Sequence, residues 1–360
     1  MLGGQMLLAL TSPGYGYEFS PQFAVGGLLA STLQCQVLAE KGQSVNRCRG
    51  ALPAQAEISY RPTVRDEFFS KLGFAAGNAL NDATPFVGGL WAADLEGDVK
   101  DINGRGRNYL LTAWYKHAFE LGAAYPLEVT LGIIDSTDYL DTNAYAHDEY
   151  TQFMNPLLVT ARSGFYPSYD YGAAVTLKKD WLDFRGLIMN VGENAEGNSY
   201  NFVGLHLGYE TTNSLGDGDY RLILSTTSKD YRDPRDGSSA RQEGLVFSLD
   251  QQVGDVWGGF LRLGWTNGDT SFPFRSIYSA GMDIRGKPWQ RPQDNVGVGY
   301  AYLVGANQEV DREQIAEIYY RFVMTDNLAF TADLQYLDEV RKNGESPRGW
   351  VFGLRAVADF

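Results

Sequence analysis

The sequence predicts an all-β chain, a transmembrane antiparallel β-barrel of about 16 strands with short periplasmic turns and long extracellular loops. Three observations predict it. Runs of roughly ten residues alternate in character with period two and are closed by Gly, Asp, Asn or Pro. The links between those runs alternate long and short, an asymmetry that a soluble sandwich has no reason to show. The 360 residues also include 41 Gly, 22 Tyr, 19 Phe and 7 Trp, with no stretch of about 18 consecutive apolar residues that could span as a helix.

Taken from the N-terminus, MLGGQMLLALTSPGYG has an apolar run with no Lys or Arg before it, so residues 1–18 read as a short segment, a trimmed signal remnant. Residues 19–360 show no Pro-rich linker, charge block or sustained helical stripe, so they form one barrel domain. Strands are expected near 22–34, 54–60, 66–77, 107–118, 127–134, 170–179, 182–193 and 201–211. The second half continues with 219–226, 243–250, 256–266, 276–286, 294–304, 313–324, 328–337 and 349–360. Long links are expected at 35–53, 78–106 and 135–169.

The alternation is clearest at the C-terminal end. In VFGLRAVADF, Phe352, Leu354, Ala356, Ala358 and Phe360 share one face while Gly353, Arg355, Val357 and Asp359 share the other. The run LAFTADLQYL sets Leu328, Phe330, Ala332, Leu334 and Tyr336 against Thr331, Asp333 and Gln335. AEIYYRFVM sets Ala316, Ile318, Tyr320, Phe322 and Met324 against Glu317, Tyr319, Arg321 and Val323. Alternation alone suits a soluble β-sandwich or propeller binding module as well. Link lengths and the aromatics near strand ends, among them Tyr60, Tyr209, Trp257, Trp265, Tyr302 and Tyr320, favour the barrel.

Composition narrows the function classes. Thirty Lys and Arg against 44 Asp and Glu leave a net charge of −14, which repels nucleic acid. Cys35 and Cys48 have no metal-ligand spacing with the three histidines, so no metal or cofactor is expected. They flank the first long link, and an oxidising compartment permits a disulfide between them worth about 2 to 3 kcal/mol in the chain-entropy view. His117, His147 and His206 fall on different elements without a nucleophile motif, so no enzyme is expected, and a barrel-embedded hydrolase is the enzymatic rival.

Three stretches resemble the carbohydrate-selective outer-membrane porin family, the OprB type. They are GIIDSTDYLDTNAYAHDEYTQFMN from Gly132 to Asn155, SYRPTVRDEFFSKLGFAAGNALN from Ser59 to Asn81, and AEIYYRFVMTDNLAFTADLQYL with GLRAVADF at the terminus. The terminal Phe360 is similar to the aromatic signal that barrel assembly machinery reads. The resemblance implies passive diffusion of sugars through the outer membrane of a Gram-negative-type bacterium, in contact with outer-membrane lipid and lipopolysaccharide, as a monomer or a homotrimer. A general or cation-preferring diffusion porin is the alternative within the same fold. After LQYL the chain runs DEVRKNGESP, where members of the family often have Asn-Pro.

The 135–169 link is the expected pore constriction. It carries Asp135, Asp138, Asp141, Asp148 and Glu149 among Tyr139, Tyr145 and further aromatics, and carboxylates accept sugar hydroxyls while aromatic rings cover sugar faces. DSTDYLD lacks the spacing of a calcium loop. Facing it from the inner wall, Arg262, Arg321 and Arg355 with Glu317 are expected to set a transverse field across the lumen.

Overall fold

The computed structural model describes residues 17–40, 43–120, 126–268, 270–306 and 310–360. Sixteen antiparallel strands close on themselves. They are β1 (Phe23–Glu40), β2 (Gln43–Ala51 continued by Ala54–Thr63), β3 (Asp66–Phe74), β4 (Leu110–Glu120), β5 (Pro126–Ile134), β6 (Asp170–Lys179), β7 (Leu182–Val191) and β8 (Tyr200–Thr212). The ring continues through β9 (Asp217–Thr227), β10 (Glu243–Val253), β11 (Trp257–Thr266), β12 (Phe274–Arg285), β13 (Asn295–Gly305), β14 (Val310–Thr325), β15 (Leu328–Arg341) and β16 (Arg348–Asp359). The seam is β1 against β16, in register from Leu28↔Asp359 to Ala39↔Arg348. Phe360 locks it, exchanging backbone hydrogen bonds of 2.8 and 3.0 Å with Gly27.

One element differs from its expectation. No long link occupies 35–53: β1 runs on to Glu40, and its Thr32–Glu40 half pairs with Gln43–Ala51. Its other half, Phe23–Leu29, pairs with Ala54–Tyr60, so the two halves of β2 act as one strand broken at Leu52–Pro53. Proline has no N–H for the ladder, and the chain bulges there, with Leu52 N–H donating across to Ala76 O at 2.9 Å. Cys35 and Cys48 therefore do not flank a loop. They face each other in register across the hairpin and are joined by a disulfide. Of the N-terminal 1–18 segment, residues 1–16 lie outside the described residues, while Tyr17–Ser20 folds back on β1 as a short strand.

The outer face is apolar and exposed. Leu29, Leu33, Leu131, Ile188, Val203, Leu205, Leu224, Ile318, Phe330, Phe352 and Leu354 all project outward uncovered, a belt no water-soluble sandwich could keep and which hydrocarbon solvates. Aromatics gather at its two rims. Trp181, Tyr209 and Tyr220 form one cluster beside the short turns, while Phe74–Tyr109, Trp265–Tyr278 and Tyr336–Trp350 are paired at the opposite rim. Among the described residues no helix is long and apolar enough to cross a membrane, so the strands are the spanning elements.

The hydrophobic core lies inside the barrel, where the loops at 75–109 and 135–169 fold in. Phe86 and Leu90 of the former, with Phe153, Leu157 and Leu158 of the latter, pack on Phe260, Ile277, Leu303, Ile315, Tyr319 and Val351 of the wall. The two loops also bond to each other, Ala92 N–H to Met154 O at 2.8 Å.

Candidate pore constriction

The 135–169 loop leaves β5 and reaches the inner wall on the far side, β11 to β16. Local chemistry shapes it first. Asp135 caps the turn Ser136–Asp138, accepting from Thr137 N–H at 2.9 Å and its hydroxyl at 2.7 Å. Asp148 accepts from Tyr150 N–H at 2.8 Å, and Asn155 caps the helical turn Pro156–Val159 through Leu157 N–H at 3.0 Å.

Wall side chains then hold the loop in place. Arg262, 1% exposed, pairs with Asp141 at 2.9 Å and donates to Leu158 O at 2.8 Å, Val159 O at 3.2 Å and Ala146 O. Asp141 adopts a left-handed backbone (φ 58°) and its other oxygen accepts from Ala161 N–H at 2.7 Å, tying the two ends of the loop together. Glu317, 2% exposed, accepts from Met154 N–H at 2.6 Å and Asn155 N–H at 3.0 Å. Arg355, equally buried, donates to Glu149 O at 2.7 Å and Gln152 O at 2.8 Å. The loop backbone is thus gripped by groups that would otherwise be buried charges without partners.

These positions revise the sequence expectation. Arg262, Arg355 and Glu317 do not line the water path, because the loop covers them and occupies their hydrogen-bonding groups. Asp141 is consumed in the Arg262 pair, and Tyr145 is buried with its ring over Gly258, where a Cβ would lie 2.2 Å from the ring. Asp135 is buried in its own cap. Arg321 points inward half-buried near the short-turn rim, away from the loop, with Asp283 and Asp359 as its charged neighbours. Of the expected constriction residues, Asp138, Tyr139, Asp148 and Glu149 retain contact with the lumen.

Residues that the sequence reading did not single out complete the narrow section. The 75–109 loop brings Asp94 and Asp98, and its backbone is held by Gln34 Nε2 to Leu90 O at 2.8 Å and by Glu313 and Glu339 accepting from Gly88 and Val87 N–H groups. Lys71 and Glu57 of the wall pair at 3.0 Å, with Asp135 and Asp138 close enough to act on the ammonium. Enclosure, with Asp135 beside it, pushes the Asp138 carboxyl up to about 7. Enclosure and Asp148 push Glu149 up to about 8, and enclosure with Asp94 and Asp135 pushes Asp98 up to about 7. Trp91, fully buried, with Leu80, Phe86, Leu90, Val99 and Ile102 also buried in the same link, was the sequence signal that the 75–109 loop has a core of its own. No cluster able to hold a metal ion occurs among the described residues.

The opposite wall, β2 to β5, is only partly covered: Gln55 donates to Tyr150 Oη of the loop at 3.2 Å, whereas Glu57, Phe69, Lys71, Trp114 and Lys116 stay partly exposed. From one rim to the other its inward layers are Lys71 beside Thr112, Phe69 beside Trp114, and Glu67 beside Lys116.

Residues 92–360 match the sequence profile of the carbohydrate-selective porin, OprB family. An Aquifex aeolicus (strain VF5) relative, described as an uncharacterized protein, is 28% identical over 318 residues, covering 86% of this chain and 89% of that one. The high-pH structure of Pseudomonas putida OprB superposes with a TM-score of 0.73 at 17% identity, covering 94% of each chain. The outer membrane channel DcaP of Acinetobacter baumannii superposes with a TM-score of 0.59 at 10% identity, covering 96% of this chain and 99% of that one.

Proposed function

This chain belongs to the carbohydrate-selective porin, OprB family, an outer-membrane channel for sugars and similar small solutes, and from that premise we propose where its selection is made. The narrowest section lies between the folded loops 135–169 and 75–109 and the β2–β5 wall. The observation that carries this reading is the triple grip of Arg262, Glu317 and Arg355 on the backbone of the 135–169 loop inside the lumen. A loop held by buried charges cannot swing out as a surface loop would. Its water-facing groups, Asp138, Tyr139 and Glu149, with Asp94, Asp98, Glu57 and Lys71, then present carboxylates that accept sugar hydroxyls and an ammonium that donates to them. The barrel carries no catalytic role in this reading, and the half-exposed Phe360 at the seam is the group offered to the assembly machinery.

The test is uptake by liposomes across a panel of sugars, amino acids and ions, with the intact protein and with a variant lacking part of 135–169. The intact channel should pass small sugars and retard larger ones. The excised variant should show higher single-channel conductance and weaker discrimination by size. Unchanged conductance and discrimination after excision would move the constriction elsewhere.

A further inference from the structure

The partly covered β2–β5 wall carries a feature that the constriction does not use. Phe69 of β3 and Trp114 of β4 are register partners that both point into the lumen, their ring centroids 4.9 Å apart and their planes within 22° of each other. Both rings remain partly exposed. Inward aromatics elsewhere, such as Phe260, Tyr319 and Phe202, are buried beneath the loops or in the core. Trp114 leans on the cluster around Ile134 and Leu140, which fixes the indole, and its neighbour in register on β5 is Gly132, so no side chain stands beside it on that strand.

Charged pairs frame this surface on both sides. One inward step towards the constriction, about 7 Å along the strand, Lys71 pairs with Glu57 at 3.0 Å. One step towards the short-turn rim, Lys116 pairs with Glu67 at 3.0 Å, and its ammonium sits 5.6 Å from the Trp114 ring centroid. Glu67 also accepts from Ser59 at 2.7 Å and Arg61 at 3.0 Å. Stacked on each other, the rings make an apolar patch one ring wide, edged above and below by carboxylates and ammonium groups, which is the pattern of a pyranose: an apolar C–H face, with hydroxyls projecting around its rim.

We propose that Phe69 and Trp114 form a platform for a single pyranose ring, on the periplasmic side of the constriction, with Glu57, Lys71 and Lys116 receiving its hydroxyls. The inference rests on the porin reading and deepens it. It makes the channel a selector of ring shape as well as of size, because an acyclic polyol offers the same hydroxyls without a flat apolar face.

The experiment compares swelling rates of proteoliposomes in D-glucose and in D-sorbitol, which match in carbon number and differ in ring closure. The full-length protein should admit glucose faster. In Phe69→Ala/Trp114→Ala the glucose-to-sorbitol ratio should fall by about threefold, the size expected for losing an aromatic contact, while Trp114→Phe should keep most of it. Phe69→Leu/Trp114→Leu keeps apolar side chains and removes the π faces, and serves where the alanine pair loses its heat-modifiable mobility. A ratio unchanged in the leucine or alanine pair overturns the platform and leaves the porin reading intact. Uptake of neither solute by the unaltered channel overturns the porin reading itself.

Discussion

Arg262 and Lys116 are both cations pointing into the same barrel, and they are held in opposite ways. Arg262 lies under the 135–169 loop, and its guanidinium is shared among Asp141 and the carbonyls of Ala146, Leu158 and Val159. Lys116, on the β2–β5 wall, pairs only with wall carboxylates, at 3.0 Å to Glu67 and 4.0 Å to Glu128. The difference is set by what lies on top. Where a loop covers the wall, inward charges become fasteners, because a buried guanidinium must satisfy its five donors and loop carbonyls do so. Where no loop lies on the cation, wall carboxylates answer it instead, and Glu67 serves Lys116, Arg61 and Ser59 together.

Breaking a fastener should therefore have the largest effect. Arg262→Ala leaves the Asp141 carboxylate buried without its partner, a cost of about 3 to 5 kcal/mol that falls on the seating of the loop rather than on the strand ladder. Single-channel recording should show a higher, noisier conductance, with heat-modifiable mobility preserved. Lys116→Met on the β2–β5 wall should leave the conductance close to its starting value, and equal conductance changes from the two variants would erase the contrast.

Acidity probes the comparison next. With the Asp138, Asp98 and Glu149 carboxyls held at about 7 to 8, against ordinary values near 4 for a free carboxyl, the folded loops retain protons that an unfolded chain has already lost. The sign follows from linkage: stability of the seated loops falls as pH rises from about 4 to about 8, while the lumen gains negative charge through the upper part of that window. Reversal potentials in a salt gradient should show stronger cation preference at pH 9 than at pH 6. Asp138→Asn with Glu149→Gln should flatten that dependence. A variant that keeps the full pH response would place the titrating groups on the wall instead.

The smallest effect belongs to the hairpin. Cys35→Ser with Cys48→Ser removes a cross-link between strands already paired in register, so the stabilisation should fall at or below the about 2 to 3 kcal/mol of the chain-entropy estimate. Thermal unfolding should shift slightly, and sugar discrimination should not move. A lost discrimination would tie the β1–β2 hairpin to the constriction.

Strand periodicity was legible because side chains in a barrel face either lipid or lumen, and the apolar faces assigned to β14, β15 and β16 are the lipid-facing ones. The β1–β2 hairpin hid for a physical reason. Gln34 and Gln36 face a loop-filled interior and Pro53 interrupts the partner strand, so the stretch imitates a polar link even though Leu33, Cys35, Val37 and Ala39 kept the period. The infolded 135–169 loop could be anticipated from its length and its acidic and aromatic content. Which of its residues meet water could not, since Asp141 and Asp138 are three residues apart in sequence and separated only by the approach of Arg262 from more than a hundred residues away. Phe69 and Trp114 escaped notice because strand periodicity shows which side chains share a face and says nothing of which part of that face a loop later covers.

The central claim is that water runs along the β2–β5 wall and is excluded from the wall under the 135–169 loop. Ser59, inward and partly exposed on the first, and Ser279, inward and buried beside Arg262 on the second, test it as matched positions. Each is changed to cysteine in a Cys35→Ser/Cys48→Ser background, and channel current is recorded while a cationic methanethiosulfonate reagent is added. The account predicts a stepwise fall in current for Ser59→Cys and none for Ser279→Cys. Equal modification of both, or modification of Ser279→Cys alone, would contradict it.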